Sequence, residues 1–479
     1  MCPNVERPLA VDLDGTLVRS DLLVDGASAY ATRTPFGLLR IACWAAAGRD
    51  RVKVELANRV EVEPASLPYR TDMLDWLRSE HRTGRRLLLV SASDERQVQA
   101  VAEHLGIFED YVGTHLGRNL KARIKRDVLV ERFGSGGYDY IGDHLDDLTV
   151  WADAHTAHVV GGSPLASRVA QTSSVGSIFP PSRSGAALLL LKAMRPHQWI
   201  KNALVAVPLL SAQMVGDTTA VVQTALAIAL FCLVASSVYL LNDIVDMPND
   251  RTHPEKQGRP LASGRLNPLV SWFAWPALVV TSFGLSLALL PWEFAAVLAT
   301  YFGLTLAYSF WAKQRGVLDV VVLGGLYTIR LVAGAAAISV PLSMWLVTFS
   351  MLFFLSLALI KRVSELTRLR RTGETIRGRG YYDTDLELLS SYGVASSIGS
   401  VVIFAVYLQD LRTQQMYASP AILGLAIPIL LAWLMRCWLW AHRGDMNEDP
   451  IVFAASDRKS QLLGIAFVAV FVVANLLHT

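Results

Sequence analysis

Residues 239–264 read YLLNDIVDMPNDRTHPEKQGRPLASG, and this stretch decides how the rest of the chain is interpreted. It begins where a long apolar run ends, and it spaces Asp243, Asp246 and Asp250 by three and four residues. In a helix this spacing puts all three carboxylates on one face, where they repel one another. A Mg²⁺ ion bridging them to a diphosphate relieves that repulsion. The stretch therefore predicts metal-dependent chemistry on an anionic substrate.

A plainer interpretation is a solvated, acidic helix end whose charge is balanced by Arg251 and Lys256. Asn242 and the polar segment that follows the aspartates lie at the same end of the apolar run. Polar residues gathered at one face of a membrane are more typical of a binding site than of a charged surface. We therefore favour the site.

The sequence on either side of this stretch is strongly apolar. Hydrophobic residues make up 52% of the 479-residue chain, and its mean hydropathy is +0.36. Most of the long apolar runs approach the roughly 20 residues that cross a bilayer as a helix. They predict an all-α membrane domain of nine transmembrane helices, at 203–211, 219–241, 269–290, 293–312, 317–338, 342–360, 390–408, 418–440 and 461–478.

Lys and Arg are concentrated in every second loop between these runs, and Arg412 is the one such residue in the alternate loops. Cytoplasmic loops are enriched in both residue types. The pattern predicts an integral inner-membrane protein whose N-terminal domain and active sites face the cytoplasm. With nine spans, His478 and Thr479 are expected on the outer side.

The first part of the chain has a different composition. Residues 1–172 mix short apolar runs with charged stretches, as a soluble α/β domain does, and residues 173–185 are rich in Ser, Gly and Pro, which is typical of a linker. The membrane domain is expected over 186–479. The N-terminus lacks the basic stretch and apolar core of a secretory signal, so we expect the first domain to stay in the cytoplasm.

Composition also excludes some classes of protein. A net charge of +3 and 18% charged residues give no large basic surface for nucleic acid. The four cysteines lie far apart without paired spacing, which argues against a disulfide framework or a structural zinc site. Oligomeric state is not readable from the sequence, and a homo-oligomer stays open.

Four motifs in the first domain follow short apolar runs that predict parallel strands. The carboxyl ends of such strands converge on one crevice, where these side chains can meet around a phosphate. Asp12 is the candidate nucleophile, and Asp14 is the candidate acid and base. The motifs are PLAVDLDGTL with Asp12 and Asp14, RRLLLVSAS with Ser91, GRNLKARIK with Lys121, and YDYIGDHLDDL with Asp143 and Asp147.

In this interpretation Ser91 and Lys121 hold the phosphate oxygens, although Lys125 stands four residues on and can take the place of Lys121. Asp12, Asp143 and Asp147 supply the hard oxygen ligands that Mg²⁺ prefers.

The ordered set resembles the haloacid dehalogenase (HAD) superfamily over roughly residues 8–165. The resemblance implies a Rossmann-like α/β fold with a helical cap, to which the apolar patch FGLLRIACWAAAG (36–48) is assigned, and a Mg²⁺-dependent phosphatase activity. The alternative is a retained fold that only binds or docks.

Further polar residues lie near the ends of the apolar runs. Arg330 is the exception, since it lies inside a run, eleven residues after Asp319 and too far along the helix to pair with it. An intramembrane arginine usually faces a protein cavity and meets an anion or a carboxylate there. The phosphate-binding candidates of this half are Lys201, Asn202, Asn242, Arg251, Lys256, Arg259, Tyr308, Lys313, Arg330, Lys361, Arg362 and Glu365.

NDIVDMPND and the nine predicted spans resemble the UbiA superfamily of intramembrane prenyltransferases over residues 192–479. The chain departs from the usual pattern after the sixth span, where KRVSEL and a basic loop replace a second Asp-rich motif. With MRPHQWIKN and DRTHPEKQGRPLASG, it is similar to the branch that includes decaprenyl-phosphate phosphoribosyltransferase.

That branch implies phosphoribosyl pyrophosphate (PRPP) as donor and a polyprenyl phosphate as acceptor. Asp243, Asp246 and Asp250 would then position Mg²⁺ on PRPP, while Lys201, Lys256 and Arg259 bind its phosphates. The HAD-like domain would remove the 5-phosphate of the product, a sugar donor for cell-envelope glycans. Two alternatives stay open: an aromatic prenyltransferase that uses a prenyl diphosphate, and a lipid or solute transporter or scaffold.

Overall fold

The computed structural model of the protein describes residues 7–115, 120–180, 185–372, 380–446 and 450–476. The chain divides into two compact units. The sheet unit comprises Met1–Met194 and Tyr239–Trp275, and the helical unit comprises Arg195–Val238 and Pro276–Thr479. The sheet unit therefore includes the Asp-rich stretch, which the sequence assigned to the membrane domain.

The sheet unit is built on six parallel strands in the order β3-β2-β1-β4-β5-β6. Apolar clusters cover both faces of the sheet, as its nearly continuous apolar strands require. This confirms the predicted Rossmann-like α/β architecture. The strands are β1 (Leu9–Asp12), β2 (Leu87–Asp94), β3 (Asp110–Thr114), β4 (Asp139–Gly142), β5 (Thr156–Val160) and β6 (Ser174–Phe179).

The first three of the four helices between β1 and β2 pack on one another and form the cap. Asp21 starts the first of them by accepting hydrogen bonds from the amides of Leu23 and Val24. That helix ends at Arg33, two residues before Pro35, which cannot continue it. The helices of the sheet unit's first segment are α1 (Leu22–Arg33), α2 (Gly37–Ala46), α3 (Arg49–Ala57), α4 (Thr71–Arg82), α5 (Glu95–Leu105), α6 (Ala122–Phe133), α7 (Leu148–Trp151), α8 (Ser163–Val169) and α9 (Ala186–Ala193).

The predicted linker at 173–185 is corrected by the structure, because strand β6 (Ser174–Phe179) lies within it. This strand pairs only with β5 and lies at the edge of the sheet, where alternate residues stay exposed. An edge strand tolerates the Ser and Gly residues that made the segment look like a linker. Residues 181–184 of the predicted linker lie outside the described residues.

The rest of the described chain is helical. Eight of its helices are long and apolar enough to cross a membrane, which agrees with an integral membrane protein. These eight are α11 to α16, α18 and α20. The helices are α10 (Val207–Ser211), α11 (Thr218–Thr252), α12 (Pro268–Leu289), α13 (Trp292–Phe310), α14 (Gly316–Ala337), α15 (Met344–Thr372), α16 (Leu386–Gln409), α17 (Leu411–Gln415), α18 (Ala426–His442), α19 (Pro450–Ser456) and α20 (Arg458–Leu476).

The predicted count of nine spans is not confirmed by the described residues. The first predicted span, 203–211, is split between a 3₁₀ segment, Pro196–Ala206, and the five-residue helix α10. Neither piece is long enough to cross a bilayer. The predicted outer location of His478 and Thr479 concerns residues outside the described part of the chain, and the orientation stays a prediction.

Candidate functional site

The first candidate site lies at the carboxyl ends of neighbouring strands in the sheet unit. Asp12 ends β1, Asp143 follows β4 directly, and Asp147 ends a 3₁₀ turn just beyond it. Oxygen atoms of these three carboxylates lie within 4.8 Å of one another. Among the described residues this is the one group of three acidic, His or Cys side chains so arranged. Three hard oxygen donors at this separation fit a Mg²⁺ ion.

Lys125, and not Lys121, lies in this cluster of carboxylates, and the sequence had left either lysine open for the role. Lys125 lies on the inner face of α6, is buried, and places its Nζ 2.7 Å from Asp12 Oδ1 and 3.9 Å from Asp147 Oδ1. Lys121 precedes the helix, is half exposed, and among the described residues forms its ion pair with Asp146 on the surface, at 4.0 Å. One turn of helix separates the two lysines, so the residue type alone could not choose between them.

Burial raises the pKa of the Asp12 carboxyl, and repulsion from Asp147 and Asp143 adds to the shift against the attraction of Lys125. Burial and repulsion from Asp147 likewise raise the pKa of Asp143 to about 6. Burial disfavours the charge on Lys125, but the neighbouring carboxylates outweigh it and raise its pKa. The site therefore carries more negative charge than it neutralises, which suits a bound cation.

Asp14 and Ser91, predicted as acid–base and phosphate-binding residues, are hydrogen-bonded to each other. Ser91 Oγ donates to Asp14 Oδ2 at 2.8 Å, and Ser93 Oγ donates to the same oxygen at 2.6 Å. The other oxygen of Asp14 accepts from the amide of Leu22, the first residue of α1, at 2.8 Å. Strand β2 and the cap therefore fix the orientation of this carboxylate.

Ser93 and Tyr140 belong to the site although the sequence did not single them out. The Tyr140 hydroxyl donates to Asp147 Oδ1 at 2.9 Å and accepts from Lys125 Nζ at 3.0 Å. Ser93 lies two residues after Ser91 on β2, on the same face of the strand. The alternation of side chains along a strand could have identified Ser93 from the sequence. Nothing in the sequence distinguishes Tyr140 from an ordinary core residue of a buried strand.

Position 15 requires glycine because the Asp143 carboxylate lies too close to the backbone there for any side chain. The φ of Gly15 is +75°, and a Cβ there would lie 2.2 Å from Asp143 Oδ2. The next residue, Thr16, donates its hydroxyl to Asp143 Oδ1 at 3.2 Å. The DGT part of the motif therefore shapes the backbone around the carboxylates.

The second candidate site is the Asp-rich end of α11, also in the sheet unit. The helix continues through Asp243, Asp246 and Asp250, as the spacing predicted, and Asp243 and Asp250 are buried. The Arg259 guanidinium lies between these two, 3.4 Å from Asp243 and 2.6 Å from Asp250. Lys256 Nζ lies 3.9 Å from Asp250. A cation therefore relieves the repulsion between these carboxylates, as the spacing predicted, and in this structure the cation is the Arg259 guanidinium.

Arg251 has partners that the sequence did not suggest. Its guanidinium donates to Asp25 Oδ2 on α1 at 2.8 Å, and it contacts Ser20 Oγ at 3.5 Å and the carbonyl of Ala262 at 3.3 Å. The Arg251 side chain is 7% exposed and that of Asp25 is 10% exposed. This predicted phosphate ligand is therefore engaged in a nearly buried ion pair with the cap.

In the helical unit, Arg330 lies buried within α14 and has only neutral partners among the described residues. Its guanidinium donates to Asn202 Oδ1 at 2.9 Å, to the Tyr301 hydroxyl at 3.1 Å and to the carbonyl of Leu326. Lys201, next to Asn202, lies 5.7 Å from the ring centre of Tyr327, which Arg330 also approaches at 5.5 Å. Three predicted phosphate-binding residues, Lys201, Asn202 and Arg330, thus gather around two tyrosines.

Arg362 is in the opposite situation. It is buried on α15, pairs with Asp319 and, at 2.5 Å, with Glu365, and contacts the Tyr308 hydroxyl at 3.2 Å. Tyr308 in turn donates to Asp319 Oδ1 at 2.8 Å. These contacts tie α13, α14 and α15 together and neutralise the arginine. The predicted phosphate-binding roles of Tyr308, Arg362 and Glu365 therefore gain no support from their placement.

Three further candidates are half-buried. Lys313 lies in the turn after α13, Lys361 lies on α15 beside Arg362, and Asn242 precedes the first motif aspartate on α11. The predicted basic loop begins at Lys361, but α15 continues to Thr372, so the first part of that segment is helical and the prediction of a loop there is wrong. Residues 373–379 of the predicted loop lie outside the described part of the chain.

Comparison with known proteins supports the assignment of the second half. A sequence profile described as the UbiA prenyltransferase family matches residues 203–456, and those residues include the motif aspartates and Arg330. The chain belongs to the UbiA prenyltransferase family. It is therefore an enzyme of a membrane-bound transferase family, and the transporter alternative loses its support.

Individual relatives extend over different parts of the chain. The protein y4nM of Sinorhizobium fredii is 38% identical over 477 residues, which is 99% of this chain and 92% of that protein. Nodulation protein NoeC of Azorhizobium caulinodans is 37% identical over 289 residues, 59% of this chain and 92% of that protein. Decaprenyl-phosphate phosphoribosyltransferase of Corynebacterium glutamicum is 32% identical over 290 residues, 60% of this chain and 86% of that protein.

Proposed function

We propose that this UbiA family member transfers the 5-phosphoribosyl group of PRPP to a polyprenyl phosphate, and that its HAD-like domain then removes the 5-phosphate. The observation that carries the transfer step is the buried Arg330 cluster in the helical unit. A buried arginine with neutral partners strongly favours an anionic ligand. The similarity to decaprenyl-phosphate phosphoribosyltransferase supports a lipid phosphate as that ligand.

In this proposal the Asp-rich end of α11 receives PRPP. Asp243, Asp246 and Asp250 would hold Mg²⁺, which neutralises charge on the pyrophosphate. Arg259 now binds two of these carboxylates, so it must release at least one of them before both can face a metal. Once released, Arg259 and the nearby Lys256 are free to bind phosphate oxygens.

The transfer itself needs no strong base. A lipid phosphate oxygen forms a bond to the anomeric carbon of ribose while the bond from that carbon to pyrophosphate breaks, and the electron pair leaves with pyrophosphate. The lipid phosphate is already anionic near neutral pH. Its orientation by Arg330 and Asn202, and charge stabilisation on the leaving group, would supply the rate acceleration.

The phosphatase step would use the first site. Asp12 attacks phosphorus and the bond to the ribose 5-oxygen breaks, while Asp14 protonates that oxygen. Asp14 then takes a proton from the water that releases inorganic phosphate. Lys125 and Ser91 would bind the phosphate oxygens, and Asp12, Asp143 and Asp147 would hold Mg²⁺, which neutralises charge on the transferring phosphoryl group.

The test is a donor comparison on the purified full-length protein in lipid nanodiscs with Mg²⁺. We expect pyrophosphate release from PRPP that depends on added polyprenyl phosphate, and none from a prenyl diphosphate with an aromatic acceptor. Asp243→Asn should lower the release on the order of 10²–10³-fold. Asp217→Asn, a matched change at the exposed start of the same helix, should not. Turnover of prenyl diphosphate without PRPP would contradict the proposal.

A further inference from the structure

Helix α2 of the cap has apolar side chains on its outer face as well as its inner face. Ile41 and Trp44 pack inward against α1 and α3. Phe36, Leu38 and Leu39 point outward, with 77%, 52% and 64% of their surface exposed. Three neighbouring large apolar side chains exposed to water are unfavourable, at roughly 25 cal/mol per Å² of apolar surface. Such a patch indicates a partner.

The neighbouring helix α1 is fixed to the first turns of α12, one of the membrane-spanning candidates, within the sheet unit. Trp272, the fifth residue of α12, donates its indole Nε1–H to Ser28 Oγ on α1 at 3.0 Å. Phe273 and Trp275 follow in the same part of the helix. Tryptophan and other aromatic residues at the end of a span mark the headgroup level of the bilayer. Ser28 therefore lies near that level.

The ion pair between Asp25 and Arg251 adds a second connection on the same face of α1, one turn before Ser28. Helix α2 then starts close to this contact. A Cβ on Gly37 would lie 2.8 Å from the carbonyl of Tyr30 and 2.9 Å from the Cα of Ala31. The start of α2 thus packs against α1 within one helical turn of Ser28.

The charge around α2 suits a membrane surface. Residues 33–48, which comprise α2 and its flanks, contain two basic residues, Arg33 and Arg40, and no acidic residue, a difference of +2. Basic residues beside an apolar helical face are typical of helices that lie in the interface of anionic membranes.

We propose that α2 is an interfacial helix that docks the cap on the phospholipid bilayer, with Phe36, Leu38 and Leu39 inserted at the boundary of headgroups and chains. The cap touches the phosphatase site, since the amide of Leu22 binds Asp14 and Lys53 of α3 reaches the carbonyl of Ala92 on β2 at 2.8 Å. Docking through α2 would hold this site at the surface where a lipid-linked substrate is presented. The docking itself does not depend on which substrate is used.

Cys43 provides a probe on this helix, because it is exposed and lies one turn after Leu39 on the outer face. The full-length protein carrying Cys2→Ser is labelled at Cys43 with an environment-sensitive fluorophore and placed in anionic nanodiscs; Cys232 and Cys437 are buried. Quenching by lipids with a shallow nitroxide is compared with quenching by aqueous iodide. A Glu131→Cys label on the exposed face of α6, with Cys43→Ser, is the water-facing control.

We expect the Cys43 label to be quenched several-fold more by the nitroxide lipid than by iodide, and the Glu131→Cys label to show the reverse. Leu39→Glu should shift the Cys43 label toward iodide quenching, while an unchanged elution volume and thermal unfolding temperature show that the protein is folded. Dominant iodide quenching in the unsubstituted helix would overturn the proposal. Protection from both quenchers would also overturn it, because a second copy of the chain or another protein would then cover α2.

Discussion

The two units contain buried ionic clusters with opposite imbalances of charge. In the sheet unit, the carboxylates of Asp12, Asp143 and Asp147 surround a single ammonium, that of Lys125. In the helical unit, the described residues that contact the Arg330 guanidinium offer it an amide, a hydroxyl and a carbonyl, and none of these is charged. Buried charge without a counter-charge is costly, so each cluster indicates the sign of its ligand. The first suits a metal cation and the second suits a phosphate.

Arg362 shows what a balanced cluster looks like in the same helical unit. It has Asp319 and Glu365 as partners, and its contacts join three helices. Arg330 and Arg362 are both buried on adjacent helices, yet they differ in role. The difference lies in the charge of their partners and not in how deeply they are buried. This comparison can be tested by substituting pairs of residues of the same amino-acid type whose neighbouring charges differ.

The largest difference is expected between the two lysines of the sheet unit. Lys125→Met should lower inorganic phosphate release about 10²–10³-fold relative to pyrophosphate release, because it removes the cation beside the nucleophile. Lys121→Met should leave that ratio unchanged, since Lys121 lies on the surface. Both products are measured in one reaction with PRPP and polyprenyl phosphate, so unchanged pyrophosphate release reports intact protein. Equal losses in the two variants would contradict the assignment of Lys125.

A second difference is expected between the two arginines. Arg330→Met should lower pyrophosphate release by about 10²-fold and raise the KM for polyprenyl phosphate, because in the proposed reaction Arg330 is the cation that binds the lipid phosphate. The matched control is Arg436→Met, which removes an arginine paired with Asp457 elsewhere in the helical unit. An unchanged KM in Arg330→Met would argue against an anion at this site.

Arg362→Met should act on folding. It removes the positive charge that pairs with the buried Asp319, at a cost of about 3–5 kcal/mol, and should lower the yield and thermal stability of the purified protein. Arg362→Met combined with Asp319→Asn should recover much of the lost stability, because the buried carboxylate whose counter-charge was removed is then neutral. If the double variant is no more stable than the single one, the pair is not what makes Arg362 necessary.

The smallest effect is expected for Arg251. If its main role is the ion pair with Asp25, Arg251→Met should change the KM for PRPP by less than about tenfold and should destabilise the protein to the same extent as Asp25→Asn. The two changes should be non-additive in a double-mutant cycle, with a coupling of about 0.5–3 kcal/mol. A large rise in the KM for PRPP with Arg251→Met alone would instead restore the predicted phosphate-binding role.

Much of the fold could be predicted because it follows from local patterns. Four short apolar runs, each followed by a polar motif, predicted the parallel sheet, and the aspartate spacing predicted the helical end of α11. The edge strand β6 could not be recognised, because its exposed Ser and Gly residues resemble a linker. The prediction of the first span was wrong because it rested on apolar composition alone. Composition does not show that this segment consists of a 3₁₀ segment starting at Pro196 and a short helix with Pro208 in its first turn.

The sequence predicted which residues belong to the candidate sites, but not which of them contact one another. The sequence placed Asp12, Asp143 and Asp147 in one crevice, and the structure brings them together. It could not choose Lys125 over Lys121, since that depends on which face of α6 turns inward. It also could not show that Arg251 meets Asp25, because 226 residues separate the pair along the chain. Charges far apart in sequence acquire roles only through tertiary contacts.

The central claim is that one chain performs transfer and then dephosphorylation. The most direct measurement follows pyrophosphate, inorganic phosphate and the lipid product over time in the wild type and in Asp12→Asn, supplied with PRPP, polyprenyl phosphate and Mg²⁺. We predict equal pyrophosphate release in both, with Asp12→Asn losing phosphate release on the order of 10⁴-fold and accumulating a lipid that mass spectrometry identifies as its 5-phosphoribosyl form. Undiminished phosphate release by Asp12→Asn, or a lipid product without ribose, would contradict the account.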